Sequence, residues 1–131
     1  MITPVSDSKY EIIKKWWSDR GHTSTPAYVM LPEVGFISYI DGRPTAASFM
    51  YVDSSHTGAW AAWTVTRPKS TYEERNQALR EIYDAFTALA RAADLKFIFT
   101  EGPDTPAYAE RLESNGFVKC DSKMAHFIKT L

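Results

Sequence analysis

The chain has 131 residues, of which 44% are hydrophobic and 14% aromatic, and this composition favours one folded domain over a disordered chain. Fifteen basic against sixteen acidic residues give a formal charge of −1, so no overall charge attracts the protein to nucleic acid or to an anionic membrane. The single cysteine, Cys120, excludes an internal disulfide and any metal site built from several cysteines.

The sequence carries no sign of export or of membrane insertion. The N-terminal stretch MITPVSDSKYE lacks the basic start and apolar core of a secretory signal. No apolar run approaches the roughly 20 residues that span a bilayer. We therefore expect a cytoplasmic protein that does not act at a membrane.

The first predicted elements are a short strand and a helix. Residues 1–5 favour the strand. Ser8 and Glu11 have the spacing of a capping box, in which the serine caps a helix and the glutamate returns to the cap amide. This pattern predicts a helix over residues 9–20, which Gly21 should end.

A β-hairpin is predicted after an irregular segment, residues 22–33, that has room for one helical turn. Two β-rich runs, over Val34–Ile40 and residues 45–52, flank the dipeptide Asp41-Gly42. This dipeptide supplies the positive φ angles that a tight two-residue turn requires, so it predicts an antiparallel pair of strands.

The run AWAAWTVT, residues 59–66, predicts a third strand. Both of its faces are apolar, as expected for a strand in the interior of a sheet. Strict alternation would put Trp60 and Trp63 on opposite faces, with one indole in the core and the other lining a cleft.

The longest helix of the chain is predicted next, because apolar residues then recur at helical spacing over about four turns. Residues 95–100 predict a short buried strand, which should lie parallel to its neighbour because the chain arrives there through a helix. The apolar residues of the helix are Leu79, Ile82, Tyr83, Phe86, Leu89, Ala90 and Ala93.

A further helix is predicted between two clear end signals. Thr105 followed by Pro106 is typical of a helix start, with proline at the first helical position. Asn115-Gly116 is typical of a helix end, with Phe117 placed for the closing apolar contact.

The last predicted elements are two strands, FVKCD and MAHFIKTL, at residues 117–121 and 124–131. The element order is that of an α+β fold with one mixed, mainly antiparallel sheet and helices on both faces. We expect a single domain over residues 1–131.

The element order and the motif SNGFVKCDSKM, residues 114–124, resemble the GCN5-related N-acetyltransferase superfamily, whose members transfer acyl groups from acyl-coenzyme A to amines. The resemblance covers essentially the whole chain. It is strongest to small acetyltransferase-like proteins of bacteriophages, which carry a hairpin, a tryptophan-rich strand and a helix start like those of residues 35–79. It implies an N-acyltransferase that takes acetyl-coenzyme A as co-substrate and an amine-bearing small molecule or protein as acceptor.

In this superfamily the fourth strand diverges from the fifth, and the gap exposes backbone groups that bind the pantetheine arm of coenzyme A. The resemblance therefore assigns the pantetheine site to Trp63, Thr64, Val65 and Thr66. The fifth strand would cover residues 96–101.

The superfamily's pyrophosphate loop is altered in this chain. Its pattern is Gln or Arg, two residues, Gly, one residue, and Gly or Ala, but Glu74, Arg75 and Asn76 stand where Gly-x-Gly is expected. One interpretation is that side chains replace the backbone cradle, because an arginine fork can bind phosphate bidentately. Arg67, Lys69 and Arg75 are the candidates for that role.

The other interpretation is an ordinary capped helix. A serine or threonine followed three residues later by glutamate caps a helix N-terminus, and carboxylates in the first turn repel a pyrophosphate. Two such pairs overlap in this stretch, Ser70 with Glu73 and Thr71 with Glu74.

Acetyl transfer to an amine benefits from a base for the amine and an acid for the departing thiolate. Superfamily members commonly place a tyrosine near the sulfur, at the position of Leu112 here. Tyr108, one helical turn earlier on the same face, is the candidate acid, with simple packing as the alternative. Glu101, after the fifth strand, is the candidate base, directly or through water, with a solvated loop acid as the alternative.

The histidines and the cysteine carry no catalytic prediction. His22, His56 and His126 are scattered, and no two of them share the spacing of metal ligands, so we predict no metal site. Cys120 is expected to be a buried structural thiol on a strand.

Three further possibilities follow from the same residues. The missing glycines and Leu112 favour a catalytically inactive binding protein on the same scaffold, a phage effector that engages a host or viral protein. Besides the acyltransferase and the binding protein, a third candidate function is the modification of a nucleobase or aminoacyl group. The near-neutral charge of the chain does not support a nucleic-acid partner. An exposed edge strand near the C-terminus would allow a homodimer.

Overall fold

The computed structural model describes residues 1–22, 25–125, 127, 129 and 131, and these residues form two compact units, Met1–Glu101 and Gly102–Leu131. The first unit holds the sheet, and the second holds the last helix. In chain order the elements are β1 (Ile2–Pro4), α1 (Asp7–Asp19), a 3₁₀ turn (Tyr28–Met30), β2 (Val34–Ile40), β3 (Arg43–Val52), β4 (Gly58–Thr66), α2 (Tyr72–Ala92), β5 (Phe97–Thr100) and α3 (Pro106–Glu113).

The sheet of the first unit has five strands in the order β1-β2-β3-β4-β5. The first three neighbouring pairs are antiparallel, and β5 alone runs parallel to its neighbour, β4, because α2 connects them. The predicted α+β fold with a mixed, mainly antiparallel sheet is confirmed.

The two helices of the first unit cover opposite faces of this sheet. Ile37 belongs to the core cluster that includes Ile13 and Trp17 of α1. Its neighbour in β2, Phe36, points to the other face and packs on Phe86 of α2, with 5.8 Å between ring centroids. Helices on both faces are therefore confirmed.

The predicted hairpin is confirmed. Asp41 and Gly42 have φ angles of 50° and 75°, so both central residues of the turn are left-handed, as a tight two-residue hairpin requires. β2 covers the predicted residues, while β3 begins at Arg43, two residues earlier than predicted, because Arg43 already pairs with Ile40.

The predicted cap of α1 is wrong by two residues. The N-cap is Ser6, not Ser8, and the helix begins at Asp7. Sheet pairing continues beyond β1, since the Val5 amide donates to the Gly35 carbonyl at 2.9 Å, and Ser6 is the last extended residue before the helix. Ser8 thus lies inside the first turn.

The end of α1 is as predicted. Gly21 has a φ angle of 83°, and its amide donates to the Ser18 carbonyl at 3.0 Å. The His22 amide donates to the Trp17 carbonyl, also at 3.0 Å. These two bonds form a Schellman motif, for which glycine is the residue with the least steric cost.

The predicted apolar face of α2 is confirmed in its central part and wrong at its C-terminal end. Phe86 is fully buried, but 42% of Leu89 is exposed, and Ala93 lies beyond the helix as an exposed C-cap. The buried residues of the helix are Ala78, Leu79, Ile82, Tyr83, Phe86 and Ala90.

The prediction of a buried β5 is wrong. Phe97 and Phe99 are 44% and 46% exposed, because among the described residues β5 lies at the edge of the sheet and pairs only with β4. The Phe97 ring lies over Gly58 at the start of the β4–β5 ladder, where any side chain at position 58 would collide with it. An apolar sequence does not distinguish an edge strand from a central one.

In the second unit, α3 has the predicted ends. Thr105 caps the helix by accepting from the Tyr108 amide at 3.3 Å, and Pro106 is its first residue. Gly116 has a φ angle of 85°, and the Phe117 amide donates to the Leu112 carbonyl at 3.1 Å.

The strand predicted after α3 is not formed: residues 117–121 have no regular structure. Cys120 is exposed, so the prediction of a buried thiol is also wrong. An ion pair, Lys119 with Asp104 at 2.7 Å, connects this segment to the start of the unit, and the hydrogen bond from Lys119 lowers the pKa of Asp104. Part of the last predicted strand, including His126, lies outside the described residues.

Across the described ranges, no helix combines the length and the apolar character needed to cross a membrane.

We expect Phe86→Ala to lower the free energy of unfolding by about 3–5 kcal/mol, because it leaves a cavity between α2 and the sheet. The matched variant is Leu89→Ala on the exposed side of the same helix, with an expected loss below about 1 kcal/mol. Urea denaturation followed by tryptophan fluorescence measures both. Equal losses would contradict the position of α2 on the sheet.

Candidate functional site

Strands β4 and β5 pair over only part of β4. The parallel ladder begins with Gly58 beside Phe97 and ends with Ala61 beside Thr100. The Thr100 hydroxyl donates to the Ala61 carbonyl at 3.0 Å at this last pair. β5 then ends, while β4 continues over residues 62–66. On that side of β4, these residues have no strand partner in the described part of the first unit.

The unpaired half of β4 contains a β-bulge. In the ladder with β3, Trp63 and Thr64 together stand opposite one residue, Ser48. Trp63 has a φ angle of 57°, which is rare for a bulky residue, and the Thr64 hydroxyl lies 2.7 Å from the Ser48 hydroxyl. The bulge bends β4 at the point where it has left β5.

Because of the bulge, Trp60 and Trp63 lie on the same face of the sheet, and the prediction of opposite faces is wrong. Trp60 is directly opposite Tyr51, and the Trp63 indole donates to the Tyr51 hydroxyl at 2.8 Å. Trp63 also meets Trp17 of α1 edge to face, with 6.2 Å between ring centroids. The extra residue shifts the alternation that the sequence pattern assumes.

The end of β4 is attached to the end of α1. Arg20 Nε donates to the Thr66 carbonyl at 2.9 Å, and Arg20 Nη2 donates to the Thr66 hydroxyl at 2.7 Å. Val65 is buried in the core that α1 covers. All four predicted pantetheine residues thus have side chains that contact other parts of the fold, and the Thr66 carbonyl already accepts from Arg20, so a ligand could use only the remaining backbone groups.

The N-terminus of α2 is closed by its own side chains. The Thr71 hydroxyl accepts from the Glu74 amide at 3.1 Å, and the Glu74 carboxylate accepts from the Thr71 amide at 2.7 Å, which completes a capping box. The overlapping pair does not form one, because the Ser70 hydroxyl donates instead to the Arg67 carbonyl at 2.6 Å.

The two arginines at this junction point into the protein. Arg67 Nε donates to the Pro44 carbonyl at 3.1 Å, and Arg67 Nη2 lies 3.5 Å from the Glu74 carboxylate. Arg75 Nη1 donates to the Ser70 carbonyl at 2.7 Å. Lys69 is exposed, with a φ angle of 63°. The contacts of this junction are those of a capped helix.

The fold of this chain is shared with solved structures, although no protein-family model and no curated protein matches the sequence. An aminoglycoside acetyltransferase, meta-AAC0020, from an uncultured soil metagenomic sample matches with a TM-score of 0.65 at 12% identity, over 100% of this chain and 95% of the other. This chain has an acetyltransferase fold.

Two more structures share this acetyltransferase fold. Wild-type TTHA1254 from Thermus thermophilus has a TM-score of 0.72 at 15% identity, over 100% of this chain and 98% of the other. Rv2747 from Mycobacterium tuberculosis, in complex with CoA and NLQ, has a TM-score of 0.65 at 10% identity, over 96% of this chain and 76% of the other.

The two candidate catalytic residues of this acetyltransferase fold lie in different units of the chain. Glu101 is exposed at the end of the first unit, directly after β5. Tyr108 lies on α3 in the second unit, and its ring packs over Gly102, where any side chain would collide with it. Leu112 is half-buried on the same helix. The roles of Glu101 and Tyr108 stay predictions.

The histidines form no metal site in the part of the chain that the structure describes. His22 and His56 are exposed, and no group of three or more His, Cys, Asp or Glu side chains could hold an ion among the described residues.

Sequence reasoning missed three residues that shape β4. Each of them is far in sequence from the β4 residue that it contacts. The separations are 16 residues for Ser48 and Thr64, 12 for Tyr51 and Trp63, and 46 for Arg20 and Thr66. No local pattern identifies such contacts. The bulge has one extra residue in β4, and its position can be recognised only once β4 is paired with β3.

We expect Thr71→Ala to lower the free energy of unfolding by about 0.5–2 kcal/mol, since the Glu74 amide loses its acceptor. Glu73→Gln is the matched control in the same turn, because the structure gives Glu73 no part in the capping box, and its expected effect is below about 0.5 kcal/mol. Urea denaturation measures both. A larger effect of Glu73→Gln would mean that the wrong pair has been assigned.

Proposed function

We propose that the protein is an acyl-coenzyme A-dependent N-acyltransferase that acetylates an amine of a small molecule or a protein. The single observation that carries this proposal is that the β4–β5 ladder ends at Ala61 and Thr100 while β4 continues to Thr66. Residues 62–66 are therefore an extended backbone edge without a strand partner in the described part of the first unit, and a linear amide-containing chain could pair with such an edge.

The pantetheine arm fits this edge chemically. The arm carries two amides, and an extended backbone segment binds amides as a further strand would. Trp63, Thr64, Val65 and Thr66 are the proposed pantetheine residues, through their backbone groups. The bulge at Trp63 and Thr64 turns backbone groups out of the β3 ladder at the middle of this edge.

The pyrophosphate of coenzyme A fits the N-terminus of α2 poorly. Lys69 and Arg75 are the side chains proposed to contact it if phosphate is bound there at all. The bond from Arg75 to the Ser70 carbonyl, and the completed capping box, favour the alternative in which the phosphates make little contact.

The proposed reaction moves one acetyl group and balances two protons. Acetyl-coenzyme A supplies the acetyl group as an activated thioester. A bond forms between the acceptor nitrogen and the acetyl carbon, and the carbon–sulfur bond breaks. The Glu101 carboxylate takes the proton that the amine loses, and the Tyr108 hydroxyl gives a proton to the departing sulfur. Solvent returns both groups to their starting states.

The proposed setting is the cytoplasm, that of the host cell if a bacteriophage encodes the protein. The acceptor is an amine, neither a membrane nor a nucleic acid, which agrees with the formal charge of −1. A homodimer remains a proposal without a located interface, because the C-terminal edge strand on which it depended is not formed at residues 117–121.

A second candidate function is that of an inactive binding protein on the same scaffold. The observation that favours it is an exposed aromatic patch, defined by Tyr51, Trp60, Trp63, Phe97 and Phe99, on the sheet face that α1 covers only in part. Aromatic residues are enriched at protein interfaces. Binding of an acyl thioester separates the two functions, because an inactive binding protein has no need of it.

The first test is isothermal titration with acetyl-coenzyme A. We expect saturable heat below about 1 mM ligand, because the unpaired edge of β4 supplies the hydrogen bonds. Acetate at the same concentration is the control. No heat with acetyl-coenzyme A would remove the transferase proposal.

The second test addresses the proton transfers, using release of free thiol in the presence of amine acceptors. Tyr108→Phe and Glu101→Gln should each lower kcat by about 10²-fold or more, since each removes one proton-transferring group. Tyr39→Phe and Glu113→Gln are the matched controls and should retain the rate. If Tyr108→Phe is as active as the control, the hydroxyl has only a packing role.

A further inference from the structure

Two of the amides that a phosphate could use at the start of α2 already have acceptors. The Thr71 amide donates to the Glu74 carboxylate at 2.7 Å, and the Glu74 amide donates to the Thr71 hydroxyl at 3.1 Å. A bound pyrophosphate would have to displace both side chains. Since the capping box stabilises the helix itself, this displacement opposes phosphate binding.

The two carboxylates of the first turn also oppose an anion, whereas the same junction carries the exposed Lys69 as well as Arg75, whose guanidinium donates to the Ser70 carbonyl. Glu73 and Glu74 both lie in the first turn, where the helix dipole stabilises them and where they repel a second negative group. Arg67 does not reverse this charge, because its side chain is largely buried and its guanidinium contacts Glu74 and the Pro44 carbonyl. Its charge is therefore balanced inside the junction.

The pantetheine side of the site is different. Residues 62–66 of β4 have no strand partner on the side away from β3 within the described part of the first unit. Contacts on the α1 face and with Ser48 hold their bulge, and at the end of this edge the Thr66 carbonyl accepts from Arg20. The same strand-to-helix junction thus has an open backbone edge at its start and a closed helix end at its finish.

We propose that Thr71, Glu74 and Arg67 determine the specificity for the acyl donor, and that the protein recognises the donor by its pantetheine thioester and not by its nucleotide. This inference rests on the proposed function. The donor class is an acyl-pantetheine thioester, which exists both on coenzyme A and on the phosphopantetheine of a carrier protein. Thr71 and Glu74 close the amides, and Arg67 neutralises the carboxylate without offering its charge to a ligand.

The test compares two donors on the unmodified protein by isothermal titration. Acetyl-coenzyme A and acetylpantetheine share the thioester and the pantetheine arm, and only the first carries the pyrophosphate and nucleotide. We expect their dissociation constants to agree within about fivefold. A preference for acetyl-coenzyme A above about fivefold overturns this inference and leaves the proposed function intact. If neither acetyl-coenzyme A nor acetylpantetheine binds, this inference and the proposed function are both overturned.

Ionic strength gives a second measurement on the same protein. A phosphate held by charged groups weakens as salt screens the interaction, whereas an amide ladder does not. We therefore expect the affinity for acetyl-coenzyme A to change by less than about twofold between about 50 and about 500 mM sodium chloride. A loss above about twofold counts against the inference.

Glu74→Gln tests the assigned residues. The glutamine oxygen still accepts from the Thr71 amide, so the helix stays capped, while the negative charge disappears and Arg67 loses its ionic partner. We expect tighter binding of acetyl-coenzyme A, by about two- to fivefold, with acetylpantetheine unchanged. Equal effects on the two donors, or none on either, would show that Glu74 does not set donor specificity.

A carrier-protein arm identifies the source of the thioester. An acetylated phosphopantetheinyl carrier protein is titrated under the same conditions. Binding at least as tight as that of acetyl-coenzyme A supports recognition through the shared arm. Failure to bind would overturn the carrier protein as a source, and coenzyme A would then be the donor.

Discussion

The structure depends on how the backbone hydrogen bonds of β4 are divided between its two neighbours. β3 pairs with β4 along its length, whereas β5 pairs only as far as Ala61 and Thr100. Backbone N–H and C=O groups that leave a ladder require another partner, which at a surface is water or a ligand. The half of β4 that β5 does not cover is therefore the part of the strand for which we propose a second extended chain as partner.

A bulge in a strand that lacks a partner on one side needs support from elsewhere, and here α1 and β3 provide it. Trp63 has an unfavourable φ angle, and its indole is held between Trp17 and the Tyr51 hydroxyl. Arg20 fixes the end of the same strand through Thr66. These contacts all involve α1 or β3, so β4 keeps its shape without a partner on the β5 side.

The start of α2 illustrates a conflict between helix stability and anion binding. The free amides of a helix N-terminus can be satisfied by a capping side chain or by a phosphate, but not by both. In this chain the capping box of Thr71 and Glu74 satisfies two of them, and Arg67 is bound inside the junction. The acetyltransferase fold is thus kept with a capped helix end.

Sequence alone determined most features whose cause lies within a few residues, and the cap of α1 is the exception, because sheet pairing continues to Val5. The Asp41-Gly42 turn, the glycine ends of two helices and the capping of α2 depend on local φ angles or on contacts three residues apart, and the order of elements follows from them. Only the tertiary structure decided the exposure of β5, the missing strand after α3, the bulge and the point where β4 leaves β5. These features depend on strand register and on which strand lies at an edge of the sheet. The same apolar run is compatible with a central or an edge strand, and contacts between residues distant in sequence decide between them.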